Sequence, residues 1–132
     1  LKTLGHLLSH EEYTEAARDM IDRMNRVLML APQDLAQWAT LYALHAYPTA
    51  EVVMVTNNLA QVQALHQQYE PNKVIAGKKP QAKSGLALLK GREMINSATT
   101  YFVCYNKTCQ LPVNNVEDVF AQMQQASKNA SQ

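Results

Sequence analysis

Apolar positions in the first third of the chain recur at three- and four-residue steps. Tyr13, Ala16, Ala17, Met20, Met24, Val27 and Leu28 fall on one face of a helix. Glu15, Arg18, Asp19, Asp22, Arg23 and Arg26 fill much of the other, with Asp19–Arg23 and Asp22–Arg26 attractive and Glu15–Asp19 repulsive at i,i+4. Ser9-His10-Glu11-Glu12 has the form of a capping box: the Ser9 hydroxyl accepts an orphan N–H and Glu12 reaches back to the Ser9 backbone. Pro32 suits the first turn of the next helix, whose apolar face is Leu35, Trp38, Ala39, Tyr42 and Ala46. Leu1 to Leu8 reads as the tail of an earlier helix, and a chain that opens inside a helical pattern without Met is expected to be a piece of a longer protein. These segments predict helix pairs whose apolar faces need more protein than residues 1–47 supply.

At Pro48 the period changes. Glu51-Val52-Val53-Met54-Val55-Thr56 is a short, nearly continuous β-branched run, which predicts a strand covered on both faces. Asn57-Asn58 can cap a following helix over 59–69, lined by Leu59, Val62, Leu65 and Tyr69. Pro71-Asn72 ends it, and Lys73 to Gly77 is a second buried strand. Strand, helix, strand predicts a βαβ unit with parallel strands. Lys78 to Ser84 reads as an exposed loop, and Leu86 to Leu89 is apolar but too short to assign. Residues 100–105 and 109–112 predict an antiparallel pair in the same sheet. Asn114 or Asn115 caps a last helix with Val116, Val119, Phe120 and Met123 inward, and residues 126–132 are expected to fray. The fold class is therefore α/β: a helical segment over 1–47, then a small βαβ-ββα sheet module over 48–132.

Composition narrows the function classes. The chain has 132 residues, 47% hydrophobic and 17% charged, a globular balance with enough length for one core. Twelve Lys+Arg against eleven Asp+Glu give a net charge of +1, so no global electrostatic case exists for nucleic acid or for a membrane surface. No apolar run reaches the ~18 residues of a membrane span. Leu1-Lys2-Thr3 opens no signal peptide, so a cytoplasmic location is expected.

The chemistry-bearing residues are few. With a two-residue turn at Asn106-Lys107, Cys104 and Cys109 face each other as a non-hydrogen-bonded pair with Cα atoms ~4.5 Å apart, inside the disulfide range. Asn suits the first position of a type I′ turn, but Lys is poor at the second. Buried reduced thiols, a disulfide, and redox or metal chemistry all stay open. The nearest cation in sequence is Lys107, a weak activator if it points to solvent. Two Cys without a nearby His fall short of a zinc site, and the spacing is not C-x-x-C. His6 and His10 lie at i,i+4 but without an H-E-x-x-H pattern, so no metal and no cofactor are expected. No acidic residue separates Glu70 from Glu93, which leaves Lys73, Lys78, Lys79, Lys83, Lys90 and Arg92 as a basic stretch. Lys78, Lys79 and Lys83 follow a strand, where α/β sheets bind anions. The spacing is not a Walker loop and Pro80 deletes a donor, so solvated lysines are expected there. Asn106-Lys107-Thr108 and Asn129-Ala130-Ser131 fit the glycosylation sequon by chance.

Tyr101-Phe102-Val103-Cys104-Tyr105-Asn106-Lys107-Thr108-Cys109-Gln110-Leu111-Pro112-Val113 resembles the "aYVC-x-N-x-x-C-x-x-P" ending of the thioredoxin-domain-containing spermatogenesis-associated protein 20 family, called YyaL-like in bacteria. Tyr69 to Val74 is similar to that family's "Y-x-P-N-k-V" step, and Glu51 to Val55 to its "eiVivg" strand, with Thr56-Asn57 where a Gly is usual. Leu4 to Tyr13 resembles its "L-x-x-L-t-g-d-x-x-Y" helix hairpin. The resemblance implies a parent protein with an N-terminal thioredoxin-like domain, an (α/α) barrel similar to N-acylglucosamine 2-epimerases, and this chain as the last barrel helices plus a small α/β end. It implies that the thioredoxin-type cysteines and the barrel pocket lie upstream, so no catalytic residue carries over, and only Cys104 and Cys109 match a motif position. The partners it implies are the barrel and thioredoxin-like domains of the parent. The exposed helical faces add self-association.

Three functions follow as expectations. The first is a non-catalytic C-terminal structural module of that larger redox- or sugar-related protein. The second is an accessory thiol–disulfide redox element using Cys104 and Cys109. The third is anion or sugar-phosphate binding at the Gly77-Lys79 loop.

Overall fold

All six residues of the strand Ala50–Val55 (β1) are buried, and the fold is built around it. In the computed structural model, which describes residues 1–130, β1 pairs in parallel with Lys73–Lys78 (β2) and antiparallel with Thr100–Tyr105 (β3). Thr108–Cys109 (β4) adds to β3, giving a four-stranded sheet in the order β2-β1-β3-β4. The molecule is thus α/β, with helices before and beside a mixed sheet. The run of β-branched residues forms a central strand for the reason its pattern suggested. With a neighbour on each edge and cover on each face, no position needs a polar side chain.

Successive β1 residues point to opposite faces, so the sheet has two cores. On one face Ala50, Val52 and Met54 pack with Leu65, Tyr101, Val103, Val119 and Met123. This face is covered by Val62–His66 (α4) and by Val116–Ala130 (α5). On the other, Val53, Val55, Val74 and Ala76 pack with Leu88 and Leu89, and with Leu7, Met94 and Phe102 at the margin. Leu88 and Leu89 belong to a single 3-10 turn, Ala87–Leu89, which is the structure taken by the apolar stretch too short to assign.

Helices Lys2–Leu8 (α1), Glu11–Leu30 (α2) and Ala36–His45 (α3) precede the sheet, with the 3-10 turn Pro32–Asp34 between α2 and α3. Of these helices, α1 has the closest ties to the sheet module among the described residues. Lys2 Nζ donates to Leu44 O at 2.6 Å and to Asn72 Oδ1 at 2.9 Å, so α1, the end of α3 and the turn before β2 share one ammonium. Gly5 makes the α1–α2 hairpin close: a Cβ there would lie 2.5 Å from Thr14 Cγ2.

The capping box does not form. Ser9 sits in the left-handed region at φ 55° and closes α1, its N–H bonded to carbonyls of that helix. His10 becomes the N-cap of α2 without a side-chain bond. A residue that ends one helix in αL cannot also begin the next in the extended geometry that an N-cap needs. The cap of α5 does form: Asn115 Oδ1 accepts the Asp118 N–H at 2.8 Å, and Asn115 Nδ2 donates to Asp118 Oδ2 at 2.7 Å. Val119 and Met123 are then buried and Val116 and Phe120 pack beside them, as the pattern predicted.

The helical part of the connection between β1 and β2 is shorter than the helix predicted over 59–69. It is a 3-10 turn, Leu59–Gln61, capped by Asn58 and continued by α4. Lys73 Nζ donates to Leu65 O at 2.6 Å and to Gln68 O at 2.8 Å, taking the carbonyls that another helical turn would use. Tyr69 is left 88% exposed. At the other end, α5 runs to Ala130 where fraying was expected from 126, and Ser131 and Gln132 lie outside the described residues.

Candidate functional site

The pairing register brings the two cysteines together. Cys104 of β3 faces Cys109 of β4, and Tyr105 faces Thr108, as a two-residue turn requires. Asn106 and Lys107 both have positive φ, 49° and 67°, the sign that a type I′ turn imposes on both central residues. Asn tolerates this and Lys does not gain from it. The Lys107 ammonium pairs with Glu11 at the start of α2, an exposed contact that pins the turn to the helical layer.

Cys104 and Cys109 are joined by a disulfide, with Cα atoms 3.9 Å apart. The two halves differ in environment. Cys104 is fully buried, whereas Cys109 is exposed. Cys104 projects from the sheet face that carries Val53 and Phe102, and its partner across β1 is Glu51.

Arg92 completes the site. It lies just past the Ala87–Leu89 turn, and its Nη2 donates to both sulfurs, at 3.1 Å to Cys104 Sγ and 3.1 Å to Cys109 Sγ. Its Nη1 donates to Leu88 O, and the guanidinium stands over the Phe102 ring 6.0 Å from the centroid. Burial pushes the Arg92 pKa down, and the nearby Glu51 carboxylate works against that shift. Arginine stays cationic at any physiological pH, so a fixed positive charge rests on the disulfide.

Glu51 and His6 form the adjoining polar contact. His6 Nδ1 lies 2.7 Å from Glu51 Oε1, bridging α1 to β1 beneath the hairpin. Glu51 is only 6% exposed, and the imidazole contact satisfies a carboxylate that would otherwise be costly to bury. A cleft of about 190 Å³ opens here between the α1–α2 turn and the hairpin, lined by His6, His10, Glu11, Glu51, Asn106 and Lys107. His6 and His10 do not converge on a common point: His10 stacks on Tyr13 with ring centroids 5.4 Å apart. Among the described residues, no three His, Cys, Asp or Glu side chains are placed to hold one metal ion.

The lysine loop differs from its expected solvated form. Lys78 is the last residue of β2, is 8% exposed, and its ammonium meets Glu93 Oε1 at 2.8 Å. Glu93 is held below the usual carboxylate range, first by the Lys78 hydrogen bond. Lys79 and Lys83 are exposed. β2 runs one residue longer than predicted, which turns Lys78 inward beside the Glu93 carboxylate.

The residue that sequence reasoning missed is Arg92. Lys107 is nearer along the chain, but its side chain turns to Glu11, away from the sulfurs. Arg92 reaches them because Leu88 and Leu89 anchor its segment in the second core. The strand pairing of Glu51 with Cys104 was likewise a consequence of register that no single segment displays.

The C-terminal end of α3 holds a half-buried histidine, His45. Arg18 Nε donates to His45 Nε2 at 3.2 Å, while His45 Nδ1 is buried without a partner. Burial, and then the positive charges of Lys2 and Arg18, push the His45 pKa down. No helix among the described residues is long and apolar enough to cross a membrane. In comparisons with known proteins, no family model, no curated protein and no solved structure matches the chain.

Proposed function

We propose that this chain is a non-catalytic structural module, in which the sheet and α5 form the folded base and α2–α3 pack against helices of a larger protein. The observation that carries this reading is the burial of α2. In 20 residues it buries only Ile21, while Met20, Val27, Met29 and Leu30 are 47%, 47%, 79% and 80% exposed. The neighbouring α3 buries no residue and leaves Leu41 and Tyr42 exposed. An amphipathic helix whose apolar face is this uncovered draws little stability from its own layer, because helical stability in proteins comes chiefly from packing of the apolar face. Exposed apolar patches of this kind mark interfaces.

An apolar cleft of about 180 Å³ between α3 and the sheet, lined by Leu44, Tyr47, Ala50, Tyr105 and Met123 among others, extends the same uncovered surface. The resemblance in the cysteine segment supports one identity for the cover: the upstream helices of an (α/α) barrel whose last helices are those of residues 1–47, in a protein of the cytoplasm. Anion binding at Gly77-Lys79 has weaker support, since the Lys78 ammonium is already paired with Glu93.

In solution the chain is expected to self-associate with rising concentration and to bind an apolar dye such as anilinonaphthalene sulfonate, because like faces cover one another when the true partner is absent. The double variant Met29→Lys, Leu30→Lys should abolish both effects. Its unfolding midpoint should stay near wild type, since exposed substitutions usually change stability by less than about 0.5 kcal/mol. A strictly monomeric wild-type chain that binds no dye would remove this reading.

A further inference from the structure

The disulfide is open to chemistry that a structural module does not need. We propose that Cys104–Cys109 is a thiol–disulfide exchange site in which an incoming thiolate attacks Cys109 Sγ and the Arg92 guanidinium stabilises the thiolate released on Cys104. The two sulfurs are unequal in the way this requires. Cys109 is exposed and within reach of an attacking group, while Cys104 is buried. Burial alone would make Cys104 a poor leaving group, because an uncompensated thiolate is disfavoured in apolar surroundings. Arg92 Nη2, 3.1 Å from Cys104 Sγ, supplies the compensating charge in advance of the reaction. The same nitrogen lies 3.1 Å from Cys109 Sγ, so the charge also serves the second thiolate when it forms.

A thiolate of the reductant forms a bond to Cys109 Sγ, the Cys104–Cys109 bond breaks, and its electron pair remains on Cys104 Sγ. The second thiol of the same reductant, as thiolate, then attacks its own sulfur in the mixed disulfide and releases Cys109 Sγ as a thiolate. Two electrons pass to the protein, the reductant becomes a cyclic disulfide, and its two protons go to solvent or to the new cysteine thiols. The reductant must be a dithiol. With a monothiol, the Cys104 thiolate sits on a strand pairing only 3.9 Å from Cys109, measured between Cα atoms, and closes the original bond again before a second monothiol can arrive. The partner class is thus a protein or small molecule carrying two adjacent thiols.

The charged groups around the pair come from five segments. Glu51 of β1 stands across from Cys104 and opposes a thiolate there, but its carboxylate is engaged by His6 of α1. Lys107 in the turn is paired with Glu11 of α2. Arg92 alone donates to sulfur among the described residues, and it does so while anchored to Leu88 O.

The test is titration and exchange on the folded 132-residue chain. Cys109→Ser leaves Cys104 as the single thiol, and its ultraviolet thiolate absorbance is followed against pH with Arg92 in place and with Arg92→Gln or Arg92→Lys added. With Arg92 in place the midpoint should lie at or below about pH 7.5, the range of thiols beside a cation. Arg92→Gln should move it up by about one pH unit, with Arg92→Lys between the two. In the oxidised wild type, dithiothreitol should open the bond without unfolding, and equimolar glutathione should leave it closed. If the Arg92 variants do not fold, the Cys104 profile with Arg92 in place and the dithiol-versus-monothiol contrast decide alone. A Cys104 midpoint at or above the ordinary thiol value near 8.5 with Arg92 in place, or reduction only at the rate of global unfolding, overturns the proposal.

Discussion

Met54→Ala is expected to cost about 3–4 kcal/mol of folding stability, in the middle of the range for removing a buried methionine side chain. Met54 is completely buried on β1, packed between the sheet and the α4–α5 layer. Its neighbours come from strands paired on both sides, so the sheet cannot collapse into the space left behind. Against a typical domain stability of about 5–15 kcal/mol, the loss should be visible as a large drop in the urea midpoint at unchanged slope. Met29→Ala is the matched control. That side chain is 79% exposed, and its removal should change stability by less than about 0.5 kcal/mol. Equal effects at the two positions would show that the helical layer is as well packed as the sheet.

Removing the disulfide is the second large effect. The double variant Cys104→Ala, Cys109→Ala should lose about 2 kcal/mol, at the low end of the usual range because the bridge closes only a short loop. The cysteines are five positions apart. The unfolded chain therefore gains little freedom when the link is cut, compared with a bridge spanning a whole domain. A further part of the loss comes from Arg92, which keeps its bond to Leu88 O but loses both sulfur acceptors. Urea unfolding of the double variant beside the oxidised wild type measures it. A midpoint identical to that of wild type would mean that the hairpin is held by its turn and ladder without help from the bridge.

The sheet was legible in the sequence because local pattern and global fold agree there. The Val52-to-Val55 run, the Lys73–Gly77 run and the Asn115 cap each state their element within a few residues, and the turn at Asn106-Lys107 sets the Cys104–Cys109 register. The helical layer was less legible. The face through Met20 and Val27 has the period of a core stripe, yet both residues are exposed, because periodicity shows which residues share a face and not what covers it. The capping box failed for a related reason: Ser9 is claimed by the helix before it. In the site, the cysteine pair follows from spacing, but Arg92, Glu51 and His6 meet only after three separate segments fold together. Arg92 in particular is delivered by Leu88 and Leu89, whose burial no period announces in so short a stretch.

The central proposal is that α2 and α3 are a loosely held layer on a folded sheet base, their apolar faces left for the rest of a larger protein, and native-state hydrogen exchange tests it most directly. Amides of β1 and β3 should exchange only through global unfolding, whereas those of α2 and α3 should open locally at free energies at least about 2 kcal/mol lower. Protection in α2 equal to that in β1, measured on dilute monomeric chain, would contradict it, because the helices would then already belong to one complete cooperative unit.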